Sequence, residues 1–482
     1  MTSGAGTTSA VTVSRRPLVC FVALELICTA GFVVFVALGR QSLALVWLLG
    51  PLQLLAWFVL MGNPYWLLMF FNALVMLTPM ELLPRYYLLF GLFPGTALLL
   101  AFLALTRFLR PNEPPASGPG RLNLILPAVL FTWIALAAVH ALQTWGWKGW
   151  ATANMLFATT LGLAAVVIGW FYATIPRNVG QIRRLVYVLI GGTVVAALAV
   201  YVLPPPQGEG GLLGGKVIIT PFGEASLNVF GTVLAAMAAM LVGLLVFEER
   251  AAARLLQLLT LLLFVVTLVF TKSRGAWFGF GVALLYVLLI SRSRRLLVVL
   301  AVASAIVLSV DVLRHFVLVR TSETTARDSS LMGRMVLWFY GWKVAKANWL
   351  WGVGMDYFRA IKHSYGFPSP YDIVSLRYHT HNLFLEVLAN LGVVGLAAFV
   401  AMLVGSLRRL LVKHIRLDSE VRGLALGTGA ALIAFVMHGL WDAVIWQYGA
   451  LMLLAVLIGL ATSVHRVVSV RKAKQSQISV VP

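Results

Sequence analysis

Residues 378–405 read YHTHNLFLEVLANLGVVGLAAFVAMLVG. A polar stretch closes at His381 and Asn382, and an apolar run follows that is long enough to cross a bilayer, which takes about 20 residues. Gly392 and Gly395 stand one helical turn apart inside that run, small residues that let a neighbouring helix approach closely. The chain therefore changes at this point from loop to membrane helix and places an imidazole at the junction. Histidine is the side chain best suited to moving a proton near neutral pH, so the junction is where chemistry is expected.

Working outward, the same apolar pattern fills most of the chain. Of the 482 residues, 61% are hydrophobic and only 11% charged, against roughly 25% in a soluble domain. Mean hydropathy is +0.93. Apolar runs at roughly 18–39, 42–62, 64–83, 86–106, 122–142, 152–173, 185–203, 228–247, 255–270, 276–290, 296–313, 382–405, 424–443 and 446–464 are each read as a span. This predicts an all-α, polytopic integral membrane protein of about 12–14 transmembrane helices, the lower number holding if short segments are re-entrant. Porin-like alternation is absent from the sequence. The run after the polar segment Met1–Pro17 is too long for a signal-peptide core and reads as the first span.

The net charge of +21 would suggest nucleic acid in a soluble protein. Here the basic residues sit in short loops instead. Arg177, Arg183 and Arg184 share one, Arg250 and Arg254 another, Arg292, Arg294 and Arg295 a third, and Arg408, Arg409, Lys413, Arg416 and Arg422 a fourth. With alternating spans all of these fall on one side, which places both termini in the cytoplasm and residues 314–381 outside. Three regions result: membrane helices over 1–313, an extracytoplasmic loop over 314–381, and C-terminal helices with a basic tail over 382–482. Cys20 and Cys28, both in the first span, lie too far apart on one helix to bridge each other.

The loop 314–381 contains a predicted amphipathic helix from Leu331 to Trp351, in which Met335, Trp338 and Trp342 recur at helical spacing. Such a helix would lie at the membrane interface. A second outer loop, Pro204 to about Leu227, is rich in Pro and Gly and reads as a flexible flap or a plain connector.

Candidate site residues cluster on the proposed outer side. Lys272-Ser273-Arg274-Gly275 stands at the end of a span, and an arginine near hydrocarbon meets an anion, a carbonyl cage or the headgroups. Arg334 opens the amphipathic helix, one turn before Trp338. A guanidinium grips phosphate oxygens in a bidentate manner, so both arginines suit a diphosphate; a solvated or snorkelling arginine is the plainer alternative. His381 suits a general base or a helix cap, with Asn382, Glu386 and His379 as supporting residues. Asp356 and Asp372 read as isolated carboxylates, and Asp442 stands near a short outer turn after Trp441, so no metal site is expected. Phosphate-binding P-loops, dinucleotide fingerprints, His-Glu-x-x-His motifs and Gly-x-Ser-x-Gly elbows do not occur. A metal-free displacement of an anionic leaving group fits this residue set better than metal-assisted hydrolysis.

His381-Asn382, nine residues, then Gly392-x-x-Gly395 resembles the signature of the O-antigen ligase and polymerase superfamily. Lys272-Ser273-Arg274-Gly275-Ala276, and Gly333-Arg334 with Trp338 leading to Trp351-Gly352-Val353-Gly354, resemble further landmarks of that superfamily in the right order. The resemblance implies a bacterial glycosyltransferase of the GT-C type, working without cofactor on the outer face of the cytoplasmic membrane. It implies an undecaprenyl-diphosphate-linked glycan as donor, and a glycan or glycolipid such as lipid A-core as acceptor. By motif position, Arg274 and Arg334 would bind the diphosphate and His381 would act on the acceptor hydroxyl, with inversion at the anomeric centre. A ligase is expected first, then a polymerase, then a protein O-oligosaccharyltransferase. A lipid-linked glycan flippase is the rival of another class, although a transporter should show internal repeats, and none is evident.

Overall fold

A computed structural model describes residues 122–202, 217–220, 223–294, 297, 329–368, 379–411, 418–446 and 448–478, together with Tyr65 and Met69. Its helices are α1 (Leu122–Trp145), α2 (Trp150–Thr174), α3 (Val179–Val202), α4 (Leu227–Leu245), α5 (Ala251–Phe270) and α6 (Arg274–Ser291). There follow α7 (Ser329–Ala347), the single turn α8 (Phe358–Ile361), α9 (Leu383–Leu411), α10 (Ser419–Gly439) and α11 (Tyr448–Ile478). Nine of the described helices are long and apolar enough to cross a membrane. They coincide with the nine runs expected between residues 122 and 464 other than 296–313, so the all-α polytopic reading holds. The runs 18–39, 42–62, 64–83, 86–106 and 296–313 lie, but for isolated positions, outside the described residues, as do Cys20, Cys28 and Asp372.

The supposed flap is partly ordered backbone. Val217–Thr220 (β1) and Gly223–Ser226 (β2) form an antiparallel hairpin with Thr220 opposite Gly223. It feeds directly into α4.

Helices α4 and α10 form the centre, and both are buried along most of their length. They approach through glycine: a Cβ on Gly243 would stand 2.3 Å from the Gly427 Cα. In a bilayer, where lipid is as apolar as leucine, such close backbone contact is what holds helices together. Around this centre α5 turns its leucines outward, with Leu255, Leu256, Leu259 and Leu262 exposed. Its polar groups turn inward, where Gln257 donates to the Tyr187 hydroxyl at 2.8 Å and Thr267 meets Tyr201 at 3.1 Å. The pattern is that of a helix solvated by hydrocarbon.

Arginines gather at one end of the bundle. Arg183 pairs with Glu420 at 3.0 Å, Arg422 lies 4.4 Å over the Phe247 ring, and Arg466 donates to the carbonyls of Ala173 (3.1 Å) and Pro176. Helix alternation puts the starts of α4, α6 and α9 and the end of α10 at the opposite end.

Helix α9 is broken at Gly392, whose φ of 67° and ψ of −172° are not helical. The break frees backbone groups, and four beside it find partners outside the helix, as the membrane interior demands. Val353 N donates to Ala389 O (3.0 Å), Gly354 N to Asn390 O (2.9 Å), Trp133 Nε1 to Leu391 O (2.7 Å) and Val393 N to Trp349 O (2.7 Å). A Cβ on Gly392 would fall 2.0 Å from the Leu350 carbonyl oxygen. The expectation that Gly392 admits a neighbouring helix is therefore corrected: it admits the turn that follows α7. Gly395 does face a helix, since its Cβ would meet Trp133 of α1 at 3.2 Å and Leu391 of its own helix at 2.4 Å.

Helix α7 begins two residues before the expected start and ends at Ala347, short of Trp351. Met332, Met335, Phe339 and Trp342 form its exposed stripe. Trp338 leaves that stripe and donates weakly from Nε1 to the His381 carbonyl at 3.4 Å. The opposite face carries Gly341, where a Cβ would touch Thr380 (2.9 Å) and Leu385 (3.0 Å), so α7 lies on the start of α9.

Candidate active site

The start of α9 is held by its own polar residues. Asn382 Oδ1 accepts from the backbone N–H of Phe384 (3.1 Å) and Leu385 (3.0 Å), satisfying donors a helix start leaves open. Its Nδ2 donates to Leu440 O at 3.0 Å, tying α9 to the end of α10. One turn on, the fully buried Glu386 accepts from Thr380 N (2.6 Å), from Asn390 Nδ2 (2.8 Å) and from His379 Nδ1 (3.3 Å). These bonds pin both sides of His381, whose φ of 51° is left-handed. A non-glycine residue persists there only when its surroundings over-determine it, at a cost of about 1–3 kcal/mol.

His381 Nδ1–H donates to Asp442 Oδ1 at 2.7 Å. Asp442 Oδ2 in turn accepts from Asn228 Nδ2, at the start of α4, at 2.8 Å. Burial pushes the Asp442 carboxyl up, but His381, His438 and Arg334 outweigh it and hold the group well below the usual carboxylate range. An ionised acceptor fixes the imidazole proton on Nδ1, which makes Nε2 the basic nitrogen. Beside it, the buried His438 bonds through Nδ1 to Thr232 Oγ1. Because Thr232 donates its own proton to Asn228 O (2.9 Å), His438 Nδ1 is the donor in that contact.

The arginine arms come from α6 and α7. Arg334 acts electrostatically on Asp442, and its Nε is buried without a hydrogen-bond partner. Lys272 takes a left-handed φ of 54° in the turn between α5 and α6, and Arg274 opens α6. The next residue, Gly275, lies against the same corner: a Cβ there would stand 2.6 Å from His438 Cδ2 and 3.2 Å from Trp441 Cβ. Thus the turn bearing Lys272 and Arg274, the start of α9 and the end of α10 converge, with Arg334 across from them.

Asp356, read as isolated, is not, and Asp442 has a partner that the sequence did not assign to it. Asp442 is the partner of His381. Asp356 lies 3.5 Å from His379 and pairs with Arg359. Burial raises the Asp356 carboxyl above its ordinary range against the pull of His379 and Arg359. Asn228, Thr232 and His438 were not foreseen at all. The available signal was His438, an ionisable side chain in an otherwise apolar span.

Fold and site together define a multi-pass helical membrane protein with a histidine–carboxylate corner at the end of its bundle, faced by arginine. Residues 258–400 match the family model described as O-antigen ligase, a likeness over about 30% of the chain that supports the O-antigen ligase superfamily and a membrane function of the ligase or polymerase kind. That segment carries Arg274, Arg334, His381, Gly392 and Gly395, and stops short of His438 and Asp442. No curated protein matches the chain.

Proposed function

We propose that the protein is a metal-independent, inverting glycosyltransferase that moves a glycan from undecaprenyl diphosphate to an acceptor hydroxyl. As a ligase, its acceptor is lipid A-core. The observation that carries this reading is the His381–Asp442 pair at 2.7 Å, with Arg334, whose Nε is buried, acting on the same corner. His381 Nε2 removes the acceptor proton as the acceptor oxygen bonds to the anomeric carbon. The bond from that carbon to the diphosphate oxygen breaks on the opposite face, and its electron pair leaves with the lipid diphosphate. Arg334 and Arg274 meet the charge that develops there. Asp442 stabilises the imidazolium formed, and Asn228 holds Asp442 in place. The arginine-rich end of the bundle supports a cytoplasmic orientation for that end, and hence an outward-facing site in the inner membrane.

The test is a transfer assay with purified protein, an undecaprenyl-diphosphate glycan and EDTA, with and without lipid A-core. Acceptor-dependent product that survives EDTA and disappears in His381→Ala, with the variant still folded, supports the ligase. Longer lipid-linked glycan without added acceptor makes the enzyme a polymerase with the same chemistry. Full activity in His381→Ala would remove His381 from the mechanism.

A further inference from the structure

Two arginine–aromatic pairs flank the histidine corner. On α6, Arg274 and Phe278 are four residues apart and share a helix face; on α7, Arg334 and Trp338 do the same. Trp441, at the end of α10, joins the two rings. Its centroid lies 6.5 Å from Phe278 at 88° and 6.2 Å from Trp338 at 45°. The aromatic face runs from the outside inward: Phe278 is 47% exposed and Trp441 37%, while Trp338 is half-buried and bonded to the His381 carbonyl. Since α6 runs from this end of the bundle into the apolar layer, Phe278 lies about 6 Å deeper than Arg274.

We infer that Phe278, Trp441 and Trp338 seat the isoprenoid segment next to the diphosphate of a lipid-linked donor, and so select polyprenyl over straight-chain carriers. This rests on the glycosyl-transfer reading above. An amphiphile of this class has an anionic head followed at once by branched, unsaturated hydrocarbon. The pairs offer cation first and aromatic ring one turn on, in that order on both helices. Ring faces offer broad apolar contact, and a branched, unsaturated chain presents methyl groups and flat vinylic segments to them where a straight alkyl chain presents only methylenes. Aromatic residues also gather at membrane interfaces as anchors. Anchoring alone, however, does not call for a row of three rings, joined through Trp441, that ends at the catalytic candidate.

The experiment compares donors bearing one glycan on polyprenyl diphosphate and on a saturated, unbranched alkyl diphosphate of equal length. Wild-type protein is expected to prefer the polyprenyl donor. Phe278→Ala should raise KM for that donor about tenfold with kcat within about twofold, raise KM for the alkyl donor by clearly less, and so narrow the preference. Phe278→Trp should restore it. Equal effects on both donors, no effect on either, or no preference in the wild type would overturn the inference while leaving the transferase reading intact. A wild type inactive with both donors would instead overturn the transferase reading, and this inference with it.

Discussion

His381 Nδ1 and Asp442 Oδ1 stand 2.7 Å apart although 61 residues separate them in the chain. The contact is made possible by two further ties: Asn382 Nδ2 holds the Leu440 carbonyl, and Leu383 packs on Gly439, where a Cβ would fall 2.7 Å from its Cδ2. The start of α9 is thereby clamped to the end of α10, and histidine and carboxylate meet across that clamp.

If Asp442 fixes the tautomer of His381, Asp442→Asn should preserve the fold and lower kcat by about 10²–10⁴-fold, the range expected when an orienting carboxylate becomes an amide. Steady-state transfer kinetics on protein of unchanged thermal stability would check this. Near-wild-type kcat would reduce Asp442 to a helix-end cap.

Arg274→Lys and Arg334→Lys keep the charge and lose the planar fork. Each should reduce kcat/KM for the lipid-linked donor by about tenfold or more, the loss of one bidentate contact to phosphate. Wild-type turnover in either variant would identify that arginine as structural.

Gly392→Ala should destabilise the protein by about 3 kcal/mol, because it adds strain at positive φ to a clash with the Leu350 carbonyl. Gly281, where a Cβ would meet nothing within 4 Å, is the control and should tolerate alanine within about 0.5 kcal/mol. Thermal unfolding in detergent separates the two, and equal shifts would contradict the broken-helix account.

Asp442 also predicts acid sensitivity. Its carboxyl is more acidic folded than unfolded, since burial is outweighed by His381, His438 and Arg334. The native state then binds fewer protons than the unfolded chain. The stabilisation is complete above the ordinary value of about 3.9 and is lost as pH falls through the lower folded value. Unfolding midpoints measured from pH 7 downward should drop on this limb in the wild type and less steeply in Asp442→Asn. Parallel curves would show that Asp442 contributes no such term.

Much of the fold was legible because a span is a local property. Val179–Leu198 or Ala251–Phe270 must be apolar over a bilayer's thickness whatever surrounds it, so hydropathy finds it. The junction was legible for the same local reason, since the polar pair His381-Asn382 gives way directly to an apolar run and Asn382 caps α9, whereas the break at Gly392 was not. Which of Met335, Trp338 and Trp342 turns inward was not legible, because all three satisfy helical spacing and only the packing of α7 on α9 decides it.

Asp442, Asn228 and His438 were illegible as a set, since no spacing links 228, 381 and 438–442. The sequence by itself determined the membrane class, the nine spans, of ten read between 122 and 464, that fall among the described residues, and the junction at His381, because hydrophobic length and helix-capping chemistry are written in consecutive residues. Only the tertiary structure decided which carboxylate holds the imidazole, which backbone groups heal the break at Gly392, and which rings face the arginines. Those are contacts between helix ends brought together by packing at Gly243 and Gly427, and packing depends on every helix at once.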